Sequence, residues 1–140
     1  MIRLIYTSRS LEPLPKDLKD IITTSSRNNR RLDITGALCF LDGVYFQYLE
    51  GEAVVLEDLY RRILADPRHH DARLLERKRI TTRIFGPWSM ALVTWTEQTR
   101  AIFQTYNADT KVDLHAIAGE SAARTFEALS RSTNWLKVGT

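Results

Sequence analysis

The sequence predicts an α+β fold in which a mixed sheet carries two helices on one face and C-terminal helices on the other. Three observations predict it. Asp42-Gly43 separates two apolar runs, and Asp-Gly favours a two-residue hairpin turn with positive φ at both positions. Segments that alternate with period 2 are interleaved with segments whose apolar residues recur at helical spacing. A last apolar stripe beyond residue 113 needs a surface to cover.

The elements follow in order. Ile2, Leu4 and Tyr6 alternate with Arg3 and Ile5, the mark of a strand that begins almost at the first residue, with Tyr6 on its apolar face. A loop with two prolines follows. From about Pro15 a helix is expected, because Leu18, Ile21, Ile22, Ser25 and Asn29 recur at helical spacing. Its stripe starts apolar and ends polar, and Asn28 and Asn29 both continue the core-facing side. One Asn near a helix end is commonly a cap; two adjacent ones are harder to assign to capping alone.

The hairpin turn sets a register in which Leu41 faces Val44, Cys39 faces Phe46, Leu38 faces Gln47 and Ala37 faces Tyr48. Both faces are then apolar apart from one amide, Gln47. Such a hairpin belongs in the middle of a sheet covered twice, where an unpaired amide costs about 1–3 kcal/mol. Backbone, a neighbouring Tyr hydroxyl or a ligand must therefore meet it.

A second helix opens at Gly51-Glu52, buries Leu56, Leu59, Tyr60 and Ile63, and ends at Asp66-Pro67. Arg68, His69 and His70 follow as a solvated loop, since no Cys or carboxylate stands at ligand spacing to make the histidines a metal site. Leu74 to Arg83 reads as an edge strand. Phe85-Gly86-Pro87 turns the chain, and Trp88, Met90 and Leu92 alternate with Ser89, Ala91 and Val93 in a last strand. The order β-α-β-β-α-β-β is a ferredoxin-like arrangement with one extra strand. From about Glu97 the chain reads as helical, with a break from Asn107 to Lys111 and a final helix from near Asp113 that carries Leu114, Ile117, Ala122, Phe126 and Leu129. Residues 1–96 form the main domain, and residues 97–140 form a helical extension packed on the open sheet face around Phe46, Tyr48 and Val93.

Composition narrows the function. At 140 residues with 44% hydrophobic content the chain can bury a real core. One cysteine excludes a disulfide framework, no apolar run approaches the roughly 20 residues of a membrane helix, and no leader opens the chain. A cytoplasmic location is expected. The net charge of +3 includes Arg27, Arg30, Arg31, Arg68, Arg73, Arg77, Arg79 and Arg83, spread as on a solvated surface, so neither membrane nor direct nucleic-acid binding is expected. No phosphate loop, dinucleotide fingerprint, metal-hydrolase motif or nucleophile triad is present, and no catalytic residue is assigned. Instead Tyr6, Asn28, Asn29 and Gln47, with Trp88 and Met90, converge on the helix side of the sheet. Amides offer paired donors and acceptors without charge, which suits the edge of a flat heterocycle held between apolar helices. The competing classes are an acylphosphatase-like enzyme, which needs a Gly-rich phosphate cradle beside an Arg, and a small basic RNA-binding domain, which needs paired aromatics on exposed central strands.

Four stretches resemble the BLUF family of flavin-binding blue-light sensors over about residues 1–95: Tyr6-Thr7-Ser8; Asn29 followed by Ile34-Thr35-Gly36-Ala37-Leu38; Phe46-Gln47-Tyr48-Leu49-Glu50-Gly51; and Phe85-Gly86-Pro87-Trp88-Ser89-Met90. The resemblance implies a non-covalently bound flavin, FAD in the first place, with FMN or riboflavin as variants. It implies that Tyr6 is the electron donor to the photoexcited ring and that Gln47 bridges the Tyr6 hydroxyl to the ring's N5/O4 edge. Asn29 would then hold the O4/N3 side and Asn28 would orient the ring. Arg68 and His69 would lie near the ribityl phosphate, and Trp88 and Met90 would respond to rearrangement of the glutamine. A sensor of this kind is not an enzyme. It signals to a downstream protein through its terminal helices or a dimer interface, and a homodimer is expected.

Overall fold

A computed structural model describes residues 1–11, 18–107, 112–132 and 135–137. Strand β1 (Ile2–Ser10) leads to helix α1 (Leu18–Arg31), the hairpin β2 (Thr35–Leu41) and β3 (Val44–Gly51), helix α2 (Ala53–Ala65), β4 (His69–Arg79) and β5 (Ala91–Val93). Helix α3 (Glu97–Tyr106), a 3-10 turn at Leu114–Ala116, helix α4 (Gly119–Ser130) and β6 (Trp135–Lys137) complete the chain. The strands lie in the order β4-β1-β3-β2-β5-β6; β2 and β5 run parallel and the other neighbours antiparallel. This is the ferredoxin-like order with additional strands at one edge.

The hairpin is central and has the register that its turn dictates. Asp42 and Gly43 both hold positive φ, 51° and 76°, and Leu41 opposes Val44, Cys39 opposes Phe46 and Leu38 opposes Gln47. On one face a single cluster joins Ala37, Cys39, Phe46, Tyr48 and Val93 to Phe103, Phe126 and Leu129 of α3 and α4. Phe126 sits on Phe46 at 4.4 Å between ring centroids and on Tyr48 at 5.4 Å. On the other face the apolar residues fall into two separate clusters. Ile2, Leu4, Tyr6 and Leu49 pack against Leu56 of α2, while Leu38, Phe40, Tyr45 and Met90 pack against Ile22 of α1.

Helix α1 ends without using either asparagine side chain as its cap. Asp33 takes the left-handed conformation, φ 55°, and the Ile34 amide returns to the Asn29 carbonyl at 2.8 Å, which closes the last turn in the manner of a Schellman motif. The Asn29 side chain is thereby left to face inward. The expected start of this helix, Pro15 to Asp17, lies outside the described residues, as do residues 108–111 of the expected break.

Four boundaries differ from expectation. Strand β4 begins at His69 rather than Leu74 and ends at Arg79, so His69 and His70 belong to a strand and not to a solvated loop. It pairs along the whole of β1 with two register shifts, and a polar edge strand carries no alternation that would mark its start. Strand β5 is only three residues long and excludes Trp88 and Met90. The final helix begins at Gly119, because Ile117 and Ala118 are extended after the 3-10 turn. Strand β6, which pairs with β5, has no counterpart among the expected elements; three residues are too few for a period to register.

Phe126→Ala removes the ring that joins α4 to the sheet. It is expected to cost about 3–5 kcal/mol in urea unfolding; a loss below about 1 kcal/mol, the size of an ordinary surface change, would contradict this packing.

Candidate cofactor site

The divided face of the sheet holds the site. Tyr6 and Gln47 are directly opposite in the antiparallel β1/β3 pair, so both side chains rise from the same face, at the seam between the two clusters. A cavity of about 320 Å³ opens there between α1 and α2, within the roughly 300–1,000 Å³ of small-molecule sites. Ile22 and Leu38 on one side and Leu59 and Ile63 on the other give it apolar walls.

The polar groups form a connected set. The Tyr6 hydroxyl donates to Gln47 Oε1, and Gln47 Nε2 donates to the Met90 thioether at 3.6 Å. Sulfur is a weak acceptor and an amide nitrogen carries two N–H groups, so the Gln47 amide retains donor capacity toward the cavity. Tyr6 and Gln47 are 2% and 7% exposed. Burial pushes the Tyr6 pKa far above the ordinary phenol range, with Tyr60, Tyr45 and Asp66 acting in the same direction. A phenolate is therefore disfavoured and the hydroxyl keeps its proton. Asn29 is buried and donates from Nδ2 to the Ser89 carbonyl at 2.9 Å, while Ser26 and Ser89 pair their hydroxyls at 2.6 Å. Asn28 is exposed and lines the cavity one residue earlier on α1.

The outer rim is charged. Asp66, just beyond α2, binds Arg68 through Oδ2 at 2.6 Å from Nη2, and that hydrogen bond holds its carboxyl down at about 2. His69 meets the Ser8 hydroxyl through Nδ1 at 3.0 Å and packs on the Tyr45 ring at 4.8 Å between centroids. Burial lowers its pKa, with Asp66 opposing that shift and Arg68 adding to it.

Segment 80–90, which delivers Met90, is anchored at its start as well. The buried Glu50 carboxylate accepts the amides of Ile84 and Phe85 at 3.0 and 2.8 Å and the Thr35 hydroxyl at 2.9 Å. Arg83 reaches the Thr35 hydroxyl at 2.8 Å and the Asp33 carbonyl at 2.9 Å.

Seven of the eight residues singled out in the sequence therefore line one cavity: Tyr6, Asn28, Asn29, Gln47, Arg68, His69 and Met90. Trp88 does not. Its ring lies on the other face of the sheet, 6.0 Å from Phe85 and 6.1 Å from Trp135. Ser26 and Ser89 join the site without being singled out by the sequence. Ser26 stands one turn beyond Ile22 on α1, where helical spacing could have found it; simple alternation places Ser89 on the opposite face. Among the described residues no His, Cys, Asp or Glu cluster could hold a metal ion.

The donor set fits a flat heterocycle with a polar edge: apolar walls, uncharged amides at the closed end and charge only at the mouth. Comparison with known proteins points the same way. Residues 1–91 match the family described as BLUF, sensors of blue-light using FAD. The chain is 36% identical over 71% of its length to the photoactivated adenylate cyclase subunit beta of Euglena longa, of which it spans only 12%. Identity is also 36%, over 64% of the chain, to the blue light- and temperature-regulated antirepressor BluF of Escherichia coli (strain K12), of which it spans 22%. The structure of BlsA in its photo-activated state superposes with a TM-score of 0.84 at 28% identity, covering 95% of this chain and 96% of that one. Neither the acylphosphatase-like nor the RNA-binding alternative gains support.

His69 generates a pH prediction. A base whose folded pKa lies below its unfolded value binds protons more readily in the unfolded chain, so its contribution is complete above about pH 6.5 and is lost as pH falls below it. The urea midpoint is expected to fall between about pH 7 and pH 5, and to fall less in His69→Gln. An equal fall in both proteins would exclude His69 as the source.

Proposed function

The chain belongs to the BLUF family, the sensors of blue-light using FAD, and from that premise we propose that light is read by the Tyr6–Gln47 pair and reported through Met90 to a partner protein. The observation that carries the proposal is the buried hydrogen bond from the Tyr6 hydroxyl to Gln47 Oε1 at the floor of the cavity. When bound, an oxidised flavin supplies the blue absorption and an electron acceptor.

The chain's own residues do the rest. Asn29 and Asn28 would hold the polar edge of the ring, the apolar walls would exclude water, and Arg68 and His69 at the mouth would meet the ribityl phosphate. Tyr6 is the electron donor, and its hydroxyl proton has one defined route, along the bond to Gln47. The amide can answer by exchanging its ends, because carbonyl and NH2 have nearly the same shape and opposite hydrogen-bonding roles. Turned, and with the electron and the proton returned to Tyr6, it offers Nε2 to the phenol oxygen, which can accept as well as donate. It then also brings Oε1 toward the Met90 sulfur, and two acceptors cannot bond. The Nε2–Sδ contact of 3.6 Å is therefore lost on switching. Met90 directly precedes β5, which lies between the hairpin and β6, so this loss reaches the part of the sheet under the C-terminal elements.

Residues 1–96 are the flavin-binding unit in this reading, and α3 and α4 of the extension 97–140 cover the opposite face and pass the change on. The protein acts as a sensor and not as an enzyme. The proposed output is contact with a partner protein, made by a homodimer in the cytoplasm. No helix among the described residues is long and apolar enough to cross a membrane.

Tyr6→Phe and Gln47→Leu should fold and bind flavin, because the apolar walls supply most of the contact surface, yet neither should show a reversible red shift of the flavin band after blue light. A normal shift in Gln47→Leu would rule out the amide switch. Trp88→Phe should keep the shift, since Trp88 lies away from the cavity. Asn29→Ala should weaken flavin binding by about 1–3 kcal/mol in a dark titration; an unchanged dissociation constant would remove Asn29 from the ring edge.

A further inference from the structure

The side chains at the entrance to β5 break the alternation of the strand they lead into. Ala91 and Val93 point into the cluster beneath α3 and α4, and Leu92 packs toward α1. Continued backward, that alternation puts Met90 and Trp88 on the α1 side and Ser89 on the other. Met90 obeys, but the chain bends at residue 89. Ser89 turns instead to α1, where its hydroxyl meets that of Ser26 at 2.6 Å and its carbonyl accepts from Asn29 at 2.9 Å. Trp88 is carried to the far face, against Phe85 and Trp135. Ser26 is fully buried and Ser89 is 7% exposed, so this hydroxyl pair forms where bulk water does not compete for it.

We propose that Ser26 and Ser89 are positioning residues: their buried hydroxyl pair holds the bend at residue 89 and so keeps Met90 at Gln47 and Trp88 on the opposite face of the sheet. Losing the pair frees the segment to straighten into continuous β alternation, which brings Trp88 round to the side of Met90 and the cavity. Asn29 and the amide of Gly36, which donates to the Trp88 carbonyl at 3.1 Å, hold backbone on either side of the bend. Among the described residues, the two serines hold it through side chains that lie outside the proposed ring contacts. The inference rests on the sensor reading for its consequence, since a Trp moved toward the cavity alters the surroundings of the Tyr6–Gln47 pair, and it rests on geometry alone for the placement of Trp88.

The test is fluorine NMR of the full chain as purified, labelled with 5-fluorotryptophan and kept in the dark. The Trp88 resonance is identified by its disappearance in Trp88→Phe. Ser26→Ala, Ser89→Ala and the volume-preserving Ser26→Cys should each move it or split it. One ordinary hydrogen bond changes a two-state population by about fivefold. The double variant should move it no further than either single variant, because both remove the same bond. The Trp95 resonance should stay in place, since its indole N–H is bonded to the Phe40 carbonyl at 2.8 Å, and it reports that each variant is folded. A Trp88 resonance that stays put in folded Ser26→Ala and Ser89→Ala, or effects of the two that simply add, would overturn the proposal. Failure of the sensor reading shows separately, as a parent protein without a reversible light-induced shift.

Discussion

One amide on an otherwise apolar hairpin sets the terms for the rest of the fold. Gln47 stands on a strand whose eight residues are all buried, and in that setting a polar group without partners costs about 1–3 kcal/mol. The solution is an adjacent strand that places a phenol directly opposite. The β1/β3 register puts Tyr6 across from Gln47, and the Asp42-Gly43 turn fixes the hairpin so that Gln47 faces the helices α1 and α2 rather than α3 and α4. A one-residue slip would reverse both choices. The face that receives Gln47 is also the one whose apolar residues fall into two clusters, and the seam between them is the cavity.

The partners chosen for the amide make the site switchable rather than merely satisfied. A phenol can donate or accept, and a thioether accepts weakly, so the arrangement on one side of Gln47 tolerates exchange of its ends while the other side registers it. The segment that bears Met90 is held at two points of different character. A buried carboxylate, Glu50, grips it by backbone amides at 84 and 85, and neutral hydroxyls and an amide grip it at 89. In the proposed switch, movement at Met90 passes along the chain into β5, whose other side carries β6.

Much of this is legible in the sequence wherever a local rule and a global need agree. Asp42-Gly43 dictates the hairpin register residue by residue, and the pattern of apolar residues in that register leaves Gln47 as the position that needs a partner. Tyr6, Asn28, Asn29 and Met90 follow from strand and helix periodicity, and Arg68 and His69 from the family resemblance. Legibility fails where rules act against each other or have too few residues to act on. His69 reads as loop because a charged edge strand shows no alternation. Trp88 reads as facing the cavity only while alternation is extended through Ser89, where buried side-chain hydrogen bonds override it. A Cβ on Gly119 would meet the Leu75 carbonyl oxygen at 2.7 Å, so α4 approaches β4 this closely only with glycine at its start.

The central claim is that the Gln47 amide changes its hydrogen bonds in the light, and vibrational spectroscopy of that one group tests it most directly. Glutamine labelled with 13C at the side-chain carbonyl gives three candidate oscillators, at Gln47, Gln98 and Gln104, which Gln98→Glu and Gln104→Glu in one background reduce to the residue of interest. The light-minus-dark infrared spectrum should then contain a label-sensitive amide carbonyl pair, negative at the dark position and positive at a shifted one, that reverses on dark recovery. A reversible change in the flavin bands with no label-sensitive carbonyl pair would contradict the account.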